Sequence, residues 1–298
     1  MKTIRQFLTE IKNGDFLPLA RVLTIVENDL TGSKELLQTI QSNPDVPVIG
    51  ITGPPGAGKS TLVNALIERL VHQGKRVAVL AVDPTSPFNL GSLLGDRIRM
   101  SAHFNKPGVF IRSIATRGSV GGLSARIIEM VDVLRAADFD YVIVETVGVG
   151  QSEIEIAGLA DLTIVVLVPE AGDEIQHIKS GLMEIGNVFV VNKADRDGAL
   201  SFANNLTKML HQRKVAVPVF KTVADKNMGV DELLSWLINA RAADKRRRLF
   251  LYTEKAFKLI QQDRMKNIEK NQLQQKLAEA IDQEGFNLYQ FVSEYENS

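Results

Sequence analysis

Gly53-Pro54-Pro55-Gly56-Ala57-Gly58-Lys59-Ser60-Thr61 fits the spacing G-x-x-x-x-G-K-[S/T]. Each residue type has a chemical reason to be there. The glycines let a backbone wrap closely around phosphate oxygens, with successive N–H groups aimed at the anion. Lys59 would reach the β- and γ-phosphates, and the Ser60 hydroxyl is suited to Mg²⁺. The stretch follows the apolar run Val48–Thr52 and opens an amphipathic run, Ser60–Gln73. That strand-to-helix setting is the one this loop requires.

Phosphate chemistry with Mg²⁺ also needs carboxylates. The β-branched run Val77–Val82 ends in Asp83-Pro84-Thr85-Ser86-Pro87, and the loop continues to Gly95-Asp96. A second run, Tyr141–Glu145, also ends in an acid, followed by Thr146, Val147 and Gly148. An acid leaving the C-terminal end of a parallel strand faces the ligand crevice of the sheet. Asp83, Asp96 and Glu145 are therefore candidate metal acids beside Ser60. Mg²⁺ keeps several waters and takes few protein ligands, so not all of them can bind it directly. A turn-forming role for Asp83 before proline and a helix-cap role for Asp96 stay open. Glu145 is one methylene longer than aspartate and can reach a metal-bound water. Gly148 is placed for a flexible γ-phosphate contact, so Lys59, Asp83, Glu145 and Gly148 form the candidate hydrolytic set. Gln151 lies three residues beyond Gly148, not adjacent to it as in small GTPases, and is left out of that set. No arginine finger is evident.

A third constellation concerns the base. Val188–Val191 runs into Asn192-Lys193-Ala194-Asp195, the pattern N-K-x-D at a strand end. A carboxylate there accepts from guanine N1–H and N2–H₂ together. Adenine offers no such donor pair and would leave the charge unpaired. Lys221-Thr222-Val223-Ala224-Asp225 occupies the place of a second base-contacting loop, with Val223, Ala224 and Asp225 as the contacts. GTP or GDP is the expected ligand, with Mg²⁺.

These groups need a scaffold. Short apolar runs at Val48–Thr52, Val77–Val82, Val109–Ile114, Tyr141–Glu145, Leu162–Val168, Val188–Asn192 and Val217–Thr222 read as strands. Helical patterns lie between most of them, including Ser60–Gln73, Leu123–Ala137 and Ser201–Gln212. Alternation of fully apolar strands with helices predicts an α/β fold: a mainly parallel central sheet covered by helices on both faces. Residues 1–44 read as a helical N-terminal extension, 45–240 as the nucleotide-binding domain, and 241–298 as a helical C-terminal arm. The arm's apolar stripe (Phe257, Leu259, Ile260, Ile268, Leu273, Leu277, Ile281) needs a surface to bury against, its own core or a second subunit.

The 298 residues, 45% hydrophobic, suffice for a sizeable core. Lys plus Arg equals Asp plus Glu at 35 each, so no global pull toward nucleic acid or membrane follows. There are no cysteines, which excludes disulfides and thiolate metal sites and fits a cytoplasmic protein. The N-terminus lacks a signal-type apolar segment, and no run is long enough to span a membrane. His72, His103, His177 and His211 are scattered without metal-ligand spacing. Lys245-Arg246-Arg247-Arg248 reads as a solvated or dimer-rim face, and Trp236 as core.

In order, GPPGAGKST, VDPTSPF, GDRIRM, ETVGVGQSE, GDEIQHIKSG and NKAD resemble the GTPases associated with methylmalonyl-CoA mutase, the MeaB/ArgK family. The resemblance spans nearly the whole chain. It implies a P-loop GTPase fold of the signal-recognition (SIMIBI) class and a homodimer. It also implies a chaperone of an adenosylcobalamin-dependent mutase, with GTP hydrolysis gating cofactor loading and release of damaged cobalamin. By motif, Asp83, Asp96 and Glu145 would fall at magnesium and switch positions, and Gly172 to Gly181 would be a partner-sensing switch. Two departures stand out: Val223-Ala224 where relatives usually carry Ser-Ala, and a proline-free segment from Ile111 to Gly118. Two further readings are a nickel-inserting GTPase, which calls for Cys or His near the switches, and an amino-acid transport kinase, which calls for a base beside an acceptor pocket. A scaffold without turnover is the non-enzyme reading.

Overall fold

The computed structural model describes residues 4–83, 100–115, 126–146, 155–172, 181–211, 217–240, 245–265, 268–283 and 285–296. Asp96, Gly148, Gln151, His177 and most of the segment from Gly172 to Gly181 lie outside them.

Seven parallel strands form one sheet in the order β3-β2-β4-β1-β5-β6-β7. They are β1 (Val48–Thr52), β2 (Val77–Asp83), β3 (Val109–Ala115), β4 (Tyr141–Glu145), β5 (Leu162–Leu167), β6 (Val188–Val191) and β7 (Val219–Lys221). The α/β architecture expected from the alternating pattern is the one observed. The last strand is shorter than its apolar run: Pro218 O accepts from Phe189 N at 3.0 Å, but the proline nitrogen has no proton to carry the ladder further back.

Strand parity explains the two cores. Successive side chains point to opposite faces. Ile49, Ile51, Val77, Val79, Tyr141, Ile143, Ile164, Val166, Val188 and Val190 share one face with helices α4 (Lys59–His72) and α8 (Val230–Asn239). Val165, Leu167, Phe189 and Val191 point the other way, onto α6 (Leu182–Ile185) and α7 (Ala199–His211). On that second face Gly50 of β1 lies under a 3₁₀ turn, and a Cβ there would meet Ile156 at 2.5 Å. Trp236 is partly buried against the first core, with its ring 6.3 Å from Phe220.

The N-terminal extension folds as α1 (Ile4–Lys12), α2 (Phe16–Glu27) and α3 (Ser33–Thr39). Arginines fasten it to the sheet domain. Arg112 on β3 pairs with Glu27 at 2.6 Å and donates to Ala20 O. Arg126, just before α5 (Ile127–Ala136), pairs with Asp29. The Arg76 guanidinium lies over the Phe16 and Phe139 rings and donates to Gly14 O.

Residues Met1–Leu251 and Tyr252–Ser298 form two compact units. The remaining helices are α9 (Lys245–Met265), α10 (Lys270–Ala280) and α11 (Leu288–Glu296). Within the second unit Phe291 contacts Phe286 and Tyr295, and the Lys276 ammonium sits 4.7 Å from the Tyr295 ring. Phe257, Ile260, Ile281 and Tyr289 remain exposed there. No helix among the described residues is long and apolar enough to cross a membrane.

Candidate functional site

All strands run the same way, so their C-terminal ends gather at one edge of the sheet. β1 lies between β4 and β5 in the order. The chain leaves β1 toward β2 and β3, returns through β4, then crosses to β5, β6 and β7. Such a reversal opens a crevice at the carboxyl ends of the strands. The described members of the three constellations read from the sequence meet there.

β1 ends at Thr52, and Gly53 turns the chain with φ 137. The turn is tight against β5: a Cβ on Gly53 would lie 2.0 Å from Val166 O. Gly56 and Gly58 also have positive φ, 75 and 85, and Gly58 leads directly into α4. The first turn of that helix faces the loop with the backbone N–H groups of a helix N-terminus, the arrangement that binds anions. The Lys59 side chain curls back over the loop and donates to Gly53 O at 2.9 Å and Pro54 O at 3.1 Å. Its ammonium therefore lies across the concave side of the phosphate loop.

β4 is the next strand over. Its register places Glu145 beside Ile51, and Thr146 continues the ladder by donating to Ile51 O. Tyr141, Ile143 and Glu145 alternate onto the α4 face, so the acid points at the helix that begins with Lys59 and Ser60. Ser60 Oγ donates to Glu145 Oε1 at 2.6 Å, with both residues buried. Thr146 Oγ1 donates to Thr52 Oγ1 at 3.0 Å, tying the two strand ends together. Asp83 closes β2 two residues beyond the register partner of Glu145, Ala81.

A hydroxyl and a carboxylate in contact at a phosphate loop are hard oxygen donors, the kind Mg²⁺ prefers, and the strand end carrying Asp83 is on the same crevice edge. The residues present fit that ion. They do not resemble a thiolate or imidazole site. Among the described residues no group of three or more His, Cys, Asp or Glu side chains could hold a metal.

On the other side of β1, β6 delivers N-K-x-D. Asn192 is buried and acts as a rivet between loops. Its Nδ2 donates to Ala57 O at 2.9 Å in the phosphate loop. Its Oδ1 accepts from Thr222 Oγ1 at 3.0 Å and from Ala224 N at 3.2 Å in the loop after β7. Lys193 takes a left-handed φ of 55, and its ammonium reaches back to Gly56 O at 2.8 Å. Asp195 accepts from Lys226 at 2.7 Å. That hydrogen bond holds the Asp195 carboxyl below the usual carboxylate range, and it raises the Lys226 ammonium. Arg196, the next residue, pairs with Glu170 in the 3₁₀ turn after β5 and lowers that carboxyl too.

Val223 and Ala224 are buried, and Ala224 opens the 3₁₀ turn Ala224–Lys226. One residue of this cluster has no signal in the sequence: Lys226 lies one position beyond the base loop Lys221–Asp225, and only the fold brings it to Asp195. Thr222, inside that loop, contributes its hydroxyl to the Asn192 rivet rather than a base contact.

A family model described as methylmalonyl Co-A mutase-associated GTPase MeaB matches residues 19–282. The chain belongs to that family. It is 47% identical over 241 residues to a putative GTPase of Pyrococcus horikoshii, covering 78% of this chain and 76% of that one. It is 35% identical over 258 residues to GTPase ArgK of Escherichia coli, covering 81% and 77%. A solved structure of an LAO/AO transport system kinase superposes with TM-score 0.73 at 26% identity, over 99% of this chain and 98% of that one. HypB from Helicobacter pylori, solved with nickel, shares the fold with TM-score 0.53 at 19% identity, over 75% of this chain and 94% of that one. This MeaB-family protein is a P-loop GTPase that binds GTP and GDP.

Proposed function

We propose that this GTPase chaperones an adenosylcobalamin-dependent acyl-CoA mutase of the methylmalonyl-CoA mutase type, gating cofactor loading and protecting or reactivating the mutase. The observation that carries the reading is the match to the mutase-associated family from residue 19 to residue 282, beyond the nucleotide-binding core into the helical arm. In this reading the protein is cytoplasmic and acts as a homodimer. The exposed Phe257, Ile260, Ile281 and Tyr289 of the second unit support a subunit contact through the arm. The proposal involves neither nucleic acid nor membrane.

At the site, Gly53 to Thr61 cradles the phosphates, with Lys59 neutralising the transferred charge. Ser60, Asp83, Asp96 and Glu145 supply the oxygen set for Mg²⁺, which when bound offsets charge on the β- and γ-phosphates. Asn192, Lys193 and Asp195, with Val223, Ala224 and Asp225, enclose the base. Gly148 contacts the γ-phosphate, and the segment from Gly172 to Gly181 reports nucleotide state to the mutase. Positioning and charge stabilisation carry most of a phosphoryl transfer, and the contacts made by Ser60 and Asn192 preset that geometry.

The test measures GTP turnover and nucleotide affinity with and without an acyl-CoA mutase from the same cells. A mutase that changes neither removes the chaperone role and leaves the GTPase. The nickel-inserting alternative lacks support in the residues, because the chain has no cysteine to offer a thiolate. Stoichiometric nickel binding would restore it. Phosphate transfer to a protein acceptor in place of water would restore the transport-kinase alternative.

A further inference from the structure

Lys226 is the one described side chain shown donating to Asp195, and it comes from a different loop. Ordinary exposed ion pairs are mobile, because both side chains sit on independent surfaces. This pair differs in how its two backbones are held. The Lys226 backbone is fixed through the 3₁₀ turn Ala224–Lys226, where Lys226 N donates to Val223 O at 3.0 Å. Val223 and Met228 exchange two backbone hydrogen bonds behind it. Ala224 N and Thr222 Oγ1 both donate to Asn192, three residues ahead of Asp195. The two loops that enclose the base are thus cross-linked twice: once through Asn192 inside the protein and once through Lys226 at its surface.

Stoichiometry decides what the second link can do. An ionised carboxylate has about four acceptor sites, two on each oxygen. Lys226 uses one site on Oδ2, which leaves about three, enough in number for a donor pair such as guanine N1–H and N2–H₂. The lysine can therefore stay while a base binds. Neither Val223 nor Ala224 has a side-chain donor, and the Thr222 hydroxyl is committed to Asn192.

The geometry points to Lys226 as a specificity-determining positioning residue, which fixes the orientation of the Asp195 carboxylate so that it meets both donors of a guanine at once. This rests on the reading of Asp195 as the base-reading acid. It adds a residue outside the N-K-x-D pattern and outside the base loop as the sequence bounded it. A base with a single donor on that edge gains less from a fixed carboxylate plane, because one hydrogen bond tolerates rotation that two parallel bonds do not.

The experiment compares binding of GDP and inosine diphosphate, which lacks the 2-amino group, to the wild-type chain, Lys226→Met and Lys226→Arg. Lys226→Met should weaken GDP binding roughly two- to fivefold, the range for loss of an exposed charged pair. Inosine diphosphate should weaken less, so the preference for GDP narrows. Lys226→Arg should keep wild-type preference. Equal loss for both nucleotides would make Lys226 a general loop brace and overturn the inference. Unchanged or tighter GDP binding, the mark of a competitor for Asp195, would overturn it too. Asp195→Asn with xanthosine diphosphate separates the two levels, since xanthine carries a carbonyl where guanine carries the amine. If Asp195→Asn does not shift preference toward xanthine, the base reading itself fails. If it does and Lys226→Met is silent, only the role of Lys226 falls.

Discussion

Ser60 Oγ and Glu145 Oε1 lie 2.6 Å apart, joining the first turn of the helix after the phosphate loop to the end of the neighbouring strand. The contact spans 85 residues of chain. It arises because β4 pairs with β1, and because odd-numbered residues of β4 face α4. Glutamate reaches the serine from that strand end. The acid that is one methylene longer than aspartate thereby contacts the hydroxyl suited to Mg²⁺.

Glu145→Gln should keep the fold, since the amide oxygen can still accept from Ser60. Losing the charge should slow Mg²⁺-dependent GTP hydrolysis by about tenfold or more, in the range seen when one preorganised electrostatic group is removed. GDP affinity should change much less. Steady-state turnover and GDP titration at fixed Mg²⁺ check the split. Equal losses in both would assign Glu145 a structural role.

Asn192→Ala removes the rivet between the two halves of the site. It leaves Ala57 O, Thr222 Oγ1 and Ala224 N without their Asn192 contacts in a buried setting. Each orphaned buried group costs about 1–3 kcal/mol, and water reaching the crevice will recover part of it. The expected total is on the order of 2–4 kcal/mol in denaturant unfolding. GDP binding should fall with it, and Gly58→Ala should reproduce part of the defect, because a Cβ there meets Asn192 Nδ2 at 2.3 Å. If the two effects add fully in the double variant, the residues act independently and the rivet description is wrong.

Local chemistry was legible in the sequence because it depends on neighbours in the chain. The phosphate loop, N-K-x-D, the acid-ended strands and the strand–helix alternation are all short-range patterns. The strand order was not, since the chain leaves β1 for a strand two places away and fills the gap later with β4. Without that order Glu145 and Ser60 were only two members of one metal set. Asp195 and Lys226 are 31 residues apart, and nothing in the local pattern marks the lysine. The arginines that hold α2 are equally silent: Arg112 sits inside an otherwise strand-like run, and its partner Glu27 ends a helix that reads as a separate extension.

Gly53→Ala should be the most damaging glycine substitution in the phosphate loop. At φ 137 an added Cβ would be strained, and it would also press on the backbone carbonyl of Val166 in β5 at 2.0 Å. The strand cannot yield without parting β1 from β5, so a loss of about 2–3 kcal/mol is expected. Gly56→Ala is the control. Its φ is 75 but nothing lies within 4 Å of the new Cβ, leaving only the left-handed cost of about 1–2 kcal/mol. Thermal melts of the two variants should rank in that order, and a reversed ranking would contradict the tight approach at Val166.

Acid sensitivity is expected from His103, in the 3₁₀ turn Ser101–His103. It is 5% exposed, and its Nδ1 has no hydrogen-bond partner among the described residues. Burial lowers its pKa below the ordinary 6.5, nearby Lys106 pushes the same way, and Glu68 on α4 opposes them. The folded state therefore prefers neutral imidazole. A depressed folded pKa means its stabilisation is complete above the unfolded value and is lost as pH falls toward the folded value. The melting temperature should drop as pH falls below about 6.5, with Asp195 adding acid sensitivity only at and below the ordinary carboxylate range. His103→Gln keeps a polar side chain of similar length without a titrating proton, so its melting temperature should vary less across that window. A variant with the wild-type slope would place the sensitivity elsewhere.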